Sequence, residues 1–146
     1  MKNFLLLVLI ILGLHLSAQN KEETAIKNLL EKESATWRAG EIEAHADCWK
    51  IRPYSRIIIS TGDGTVIDVP PEDMIHPPKG VAGGGGTSEN SNYKMHISGN
   101  NAWVSHDEVS YSKTGKKTSS SEFRILEKIG GKWKLTGQSI LIRKEE

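Results

Sequence analysis

The sequence predicts a single α+β domain, and three observations carry that expectation. Helical apolar spacing is confined to the N-terminal third, the rest reads as strands joined by short turns, and 146 residues leave room for one core. Helices followed by a strand meander pack most economically with the helices laid across one face of a curved antiparallel sheet.

The chain opens with Lys2, an unbroken apolar run over 4–14, and then Leu16-Ser17-Ala18-Gln19. This is the charged, apolar and small-residue order of a secretory signal peptide, placed at residues 1–19, with the mature domain at 20–146. The run is about half a membrane span and no cysteine follows it. A periplasmic or secreted protein with no membrane anchor after cleavage is therefore expected. Lysine and arginine total 19 against 18 acidic residues, and losing Lys2 leaves the mature chain near neutrality. That balance argues against nucleic acid as a partner. Cys48 is the sole cysteine, so an intramolecular disulfide is excluded and the residue reads as a small buried apolar group.

Asn20 followed by Glu23 has the spacing of a capped helix start, and Ile26, Leu29, Leu30 and Trp37 then share a stripe that ends at Ala39-Gly40. A second helix is expected over 41–49, with Ile42, His45, Ala46 and Trp49 on one face. Strands follow at 56–60 and 65–69, joined by Gly62-Asp63-Gly64, since glycine accepts positive φ. Pro70-Pro71 opens a short helical turn that His76-Pro77-Pro78 closes. Residues 79–92, with Gly83 to Gly86 at their centre, show no apolar period and are expected to form a mobile loop, either a lid or a plain connector. Three strands are expected at 93–98, 102–112 and 118–128, and a last one at 132–143 after Gly130-Gly131.

The order of elements, Trp37 and Trp49 in the opening helices, and the closing run Gly130-Gly131-Lys132-Trp133-Lys134-Leu135-Thr136-Gly137-Gln138-Ser139 resemble the nuclear transport factor 2-like (NTF2-like) superfamily, including its SnoaL-like and ketosteroid-isomerase-like branches. The resemblance spans essentially the whole mature chain. It implies a cone-shaped, cystatin-like sheet with a pocket between sheet and helices, in a superfamily that includes isomerases, cyclases, dehydratases and transport factors.

Alternation along 102–111 puts Ala102, Val104, His106, Glu108 and Ser110 on one face and Trp103, Ser105, Asp107, Val109 and Tyr111 on the other. The resemblance implies that the first set faces the cone. Trp103 and Tyr111 then lie outside, where an aromatic patch points to a homodimer interface. If residues paired across the Thr114-Gly115 turn have numbers summing to an even value, Glu122 and Arg124 join His106 and Glu108; a one-residue slip reverses this. Gln138 would come from the last strand, with His45 and Trp49 from above.

This group admits three readings. It is a ligand-binding set for a small, partly apolar molecule. It is a catalytic set, with Glu108 as the base and His106 orienting it or donating a proton in a cofactor-independent isomerase, cyclase or dehydratase. Or it is a salt-bridge network that holds the cone open, leaving the outer sheet face as a protein-interaction surface. The histidines form neither an H-x-H pair nor H-E-x-x-H, and neither a phosphate loop nor a G-x-S-x-G elbow is present, so no metal and no cofactor are expected.

Overall fold

The computed structural model describes residues 2–143. Its elements run α1 (Lys2–Ala39), α2 (Ile42–Ala46), β1 (Ile57–Ser60), β2 (Val66–Val69), α3 (Pro71–Ile75), β3 (Thr87–Ser98), β4 (Asn101–Tyr111), β5 (Lys117–Ile129) and β6 (Lys132–Ile142). The six strands form one sheet in the order β2-β1-β6-β5-β4-β3.

Helix α1 is continuous through the expected start at Asn20, where the Thr24 hydroxyl donates to the Asn20 carbonyl at 2.8 Å, as inside a helix. The apolar run before it has helical propensity of its own, so nothing forces the helix to begin there. Its stripe Ile26, Leu30, Glu33, Trp37 steps by four, three and four and lies against the sheet. Ile26 and Leu30 are fully buried with Met74, Val104, Leu126 and Leu135. Burying a side chain the size of Leu30 stabilises the packing by roughly 1.5–3 kcal/mol. At the far end of this contact Glu22 accepts from the Trp133 indole at 2.7 Å and from Lys128 at 2.6 Å.

The sheet is mixed, which corrects the all-antiparallel expectation: β1 runs parallel to β6, pairing Ile57 with Gln138 and Ile59 with Ile140. The reason lies upstream. Trp49 already bridges Leu135 in parallel, with Lys50 N–H donating to the Leu135 carbonyl at 2.8 Å and Leu135 N–H to the Cys48 carbonyl at 2.9 Å. The chain is thus moving along β6 in its own direction before β1 begins. This docking also ends α2 at Ala46, short of the expected 49.

Residues 79–92 are likewise corrected, because from Thr87 onward they are strand, paired from Thr87↔Tyr111 to Ser91↔Asp107. Serine and asparagine hide the alternation there. A bulge follows, in which Asn92 (φ 56°) and Tyr93 oppose His106, and Tyr93 stacks on that imidazole at 5.2 Å between centroids. The glycine run is fastened to the end of α1, with Gly83 N–H donating to the Trp37 carbonyl at 3.0 Å and Gly85 N–H to the Arg38 carbonyl at 2.8 Å. These bonds satisfy carbonyls that a helix end otherwise leaves open.

Candidate functional site

The strand register writes the chemistry of the concave face. Pairing across the Thr114-Gly115 turn matches His106 with Glu122 and Val104 with Arg124, the even-sum register, so Glu108, Glu122 and Arg124 share one face. Reading across the sheet from β2, one row is Val69, Ile57, Gln138, Arg124, Val104. The next is Ile67, Ile59, Ile140, Glu122, His106, and the third is Ile142, Ser120, Glu108, Asn90. Each row begins aliphatic and turns polar on reaching β6 or β5. Sheet and helices enclose a cavity of about 450 Å³ whose wall inherits this division. Isoleucines of β1, β2 and β6 line one side with Met74 and Trp37, while Glu108, Glu122, Arg124, Gln138, Ser120 and, from α1, Glu33 and Ser34 line the other.

Arg124 is the hub. Its Nε and Nη2 donate to Glu122 Oε2 at 2.9 and 2.5 Å, and its Nη1 donates to Glu33 Oε2 at 2.8 Å. Glu122 also accepts from Gln138 at 3.2 Å and from Ser120 at 3.2 Å. Burial alone would raise the Glu122 pKa, but the Arg124 charge and these hydrogen bonds outweigh it and hold the carboxyl below its ordinary range. Burial likewise works against the Arg124 charge, and Glu122 and Glu33 more than restore it, leaving its pKa raised.

Glu108 stands apart from that cluster. It accepts from the Ser34 hydroxyl at 3.1 Å through Oε2, and among the described residues no donor reaches Oε1. Behind Ser34, Arg38 donates to the Ser34 and Ser88 hydroxyls, each at 2.6 Å. Burial and then the Glu122 charge push the Glu108 pKa above its ordinary value. A half-buried carboxyl with a free oxygen and a raised pKa is suited to exchange a proton or to take a polar head group.

His106 is placed differently from what the sequence suggests. It points inward from β4 beside Glu122, at 3.7 Å, but lies a layer behind the cavity wall, sealed by Tyr93 and 3 % exposed. Neither ring nitrogen has a hydrogen-bond partner among the described residues. Burial, then the Arg124 charge, lowers its pKa. His45 does reach the wall, with Nδ1 facing the Glu33 carbonyl at 3.3 Å and Nε2 the Met74 carbonyl at 3.2 Å, which ties α1, α2 and α3 together. Trp49 packs behind it with ring centroids 6.2 Å apart and does not line the cavity.

Sequence reasoning passed over Glu33 and Ser34. The signal for Glu33 was present: a glutamate at the third position of the Ile26, Leu30, Trp37 stripe is a carboxylate on a buried face, which requires a cation across from it. Among the described residues no group of histidine, cysteine and carboxylate side chains could hold a metal ion, and no helix is long and apolar enough to cross a membrane.

A helical layer on a curved, open sheet with a cavity between them defines an α+β cone, and solved structures give that cone its class. The chain superposes on an NTF2-like protein of unknown function from Shewanella oneidensis with a TM-score of 0.63 at 16% identity, covering 82% of this chain and 98% of that one. An NTF2-like protein from Cytophaga hutchinsonii gives 0.63 at 15% identity, covering 82% and 96%. A cystatin-like protein of unknown function from Nostoc punctiforme gives 0.63 at 14% identity, covering 84% and 92%. The chain has the NTF2-like fold. No family model and no curated protein matches the sequence.

Proposed function

We propose that this chain is an exported NTF2-like protein that holds a small, partly apolar molecule in the cavity between α1 and the sheet. The observation that carries the reading is the division of the cavity wall into an isoleucine side and a carboxylate side, which suits one amphiphilic occupant. Export rests on the leader over residues 1–19. If the site performs chemistry, the proton-transfer group is Glu108 acting without His106, since that imidazole lies behind the wall.

The test is the melting temperature of the full chain against sterols, fatty acids, aromatic polyketide-like compounds and oligosaccharides. A ligand that binds only the folded state raises it by mass action. A rise with an apolar or amphiphilic class that is lost in Ile59→Asp supports the reading, and no rise with any class refutes it. Binding and catalysis separate on Glu108→Gln, which removes turnover while leaving apolar affinity if the site is catalytic.

A second reading concerns the outer sheet face and commits to a second copy of this chain. Trp103 stacks on Phe123 at 5.7 Å between centroids, with Ile125 beside them, and the three side chains are 39%, 41% and 47% exposed. Light scattering at rising concentration reads this directly: a dimer that Trp103→Ala dissociates supports it, and a monomer at all concentrations refutes it.

A further inference from the structure

The one charged donor on the cavity wall is already paired, and the charge left over on that wall is negative. All three nitrogens of Arg124 donate to glutamates. Ser34 donates to Glu108, Ser120 and Gln138 donate to Glu122, and both ring nitrogens of His45 face backbone carbonyls. The wall donors that remain, the Thr118 hydroxyl and the Trp37 indole, are neutral. Against them stand three carboxylates, Glu33, Glu108 and Glu122, facing one guanidinium, with Asp73 of α3 also on the wall. Arg38 lies behind Ser34, donates to two serine hydroxyls and is not among the wall residues.

An anionic head group entering this cavity finds on its wall one cation, already paired with two glutamates, and several carboxylates. To bind, it would have to share Arg124 with Glu33 and Glu122, crowding a further negative charge against two buried carboxylates, which is costly. A head group that brings its own N–H donors and a positive charge meets the free Oε1 of Glu108 and leaves the Arg124 cluster intact.

Resting on the cavity reading above, we propose that the occupant is a cationic amphiphile, an amine whose ammonium head is taken by Glu108 while its hydrocarbon body lies on the isoleucines of β1, β2 and β6. The aliphatic side supplies affinity and the carboxylate side selects by charge.

The experiment titrates the full chain calorimetrically at neutral pH and low salt with three probes that share one hydrocarbon body: adamantylmethylamine, adamantylmethanol and adamantane carboxylate. The amine is expected to bind at least about tenfold more tightly than the carboxylate, with the alcohol between them; tenfold corresponds to about 1.4 kcal/mol. In Glu108→Gln the amine should lose its advantage over the alcohol. If that variant does not fold, the amine-to-carboxylate ratio of the unaltered chain decides by itself. Carboxylate binding equal to or tighter than amine overturns the inference and leaves the cavity reading standing, as does alcohol binding with no preference for the amine. Failure of all three to bind counts against the cavity reading and overturns this inference with it.

Discussion

Arg124 on β5 and Glu33 on α1 meet at 2.8 Å across the interface between sheet and helix, and the same guanidinium grips Glu122 on its own strand. The contact joins the two layers of the cone at the polar end of its cavity. It also explains how a glutamate occupies the buried stripe of α1 without unravelling the packing.

Removing one partner of such a pair strands the other charge in a buried site, which costs about 3–5 kcal/mol. Glu33→Ala is therefore expected to lower the urea midpoint by a corresponding amount. A loss below about 1 kcal/mol would show that Arg124 is sufficiently held by Glu122 alone.

Stability should depend on pH through two buried groups with opposite signs. The His106 pKa is lowered from 6.5 by burial and by Arg124, so the unfolded chain takes up the proton more readily than the folded one. Its contribution is present above pH 6.5 and is lost as pH falls through the folded value. The Glu108 pKa is raised from 4.5, so its contribution is present below 4.5 and is lost as pH rises through the folded value. Denaturation curves between pH 5 and 8 should accordingly show a shallower acid-side loss in His106→Gln than in the unaltered chain. Glu108→Gln should show a steeper one. Parallel curves for all three proteins would contradict both assignments.

Cys48 is fully buried, and burial pushes its thiol up to about 11. At pH 8 it should resist a chromogenic disulfide reagent in the folded protein and react within mixing time in denaturant. Rapid labelling of the native chain would mean that the segment between α2 and β1, docked on β6, opens readily.

Two glycines of one loop should behave oppositely. Gly86 has φ +88°, and a Cβ there would sit 2.0 Å from the Tyr111 carbonyl oxygen, so Gly86→Ala must displace backbone at the start of β3. A loss above about 1 kcal/mol is expected from strain of this kind. Gly84 has open space around it and no positive φ, and Gly84→Ala should be neutral to slightly stabilising. Equal thermal shifts in the two variants would refute the distinction.

Strand alternation was legible wherever apolar and polar residues take turns. From Ala102 to Tyr111 the sequence alone divides the two faces, and the inward set is buried or half-buried as the alternation requires. The even register at Thr114-Gly115 was not legible, because both registers are compatible with the sequence and differ by a single residue in the turn. The first half of β3 was hidden for a different reason: Thr87, Ser88, Asn90 and Ser91 carry no apolar signal, and what holds their inner face is polar, with Ser88 accepting from Arg38 and Asn90 donating to Glu31 at 2.8 Å. The place of His106 behind the wall was likewise beyond alternation, which assigns a face but not a depth. Depth there is set by the β3 bulge that swings Tyr93 over the ring.

The parallel pairing of β1 with β6 places the last strand of the chain near the middle of the sheet, with the aliphatic flank hanging from its outer edge. The β1–β2 hairpin has no neighbour in the sheet other than β6, so ribosomal synthesis delivers half of the cavity long before the piece that supports it. Folding must close contacts between segments far apart in sequence, which is slow and late. A chain shortened ahead of Lys132 loses the keystone as well as a margin. Keeping the keystone until the end delays compaction until synthesis is nearly complete, without any separate device.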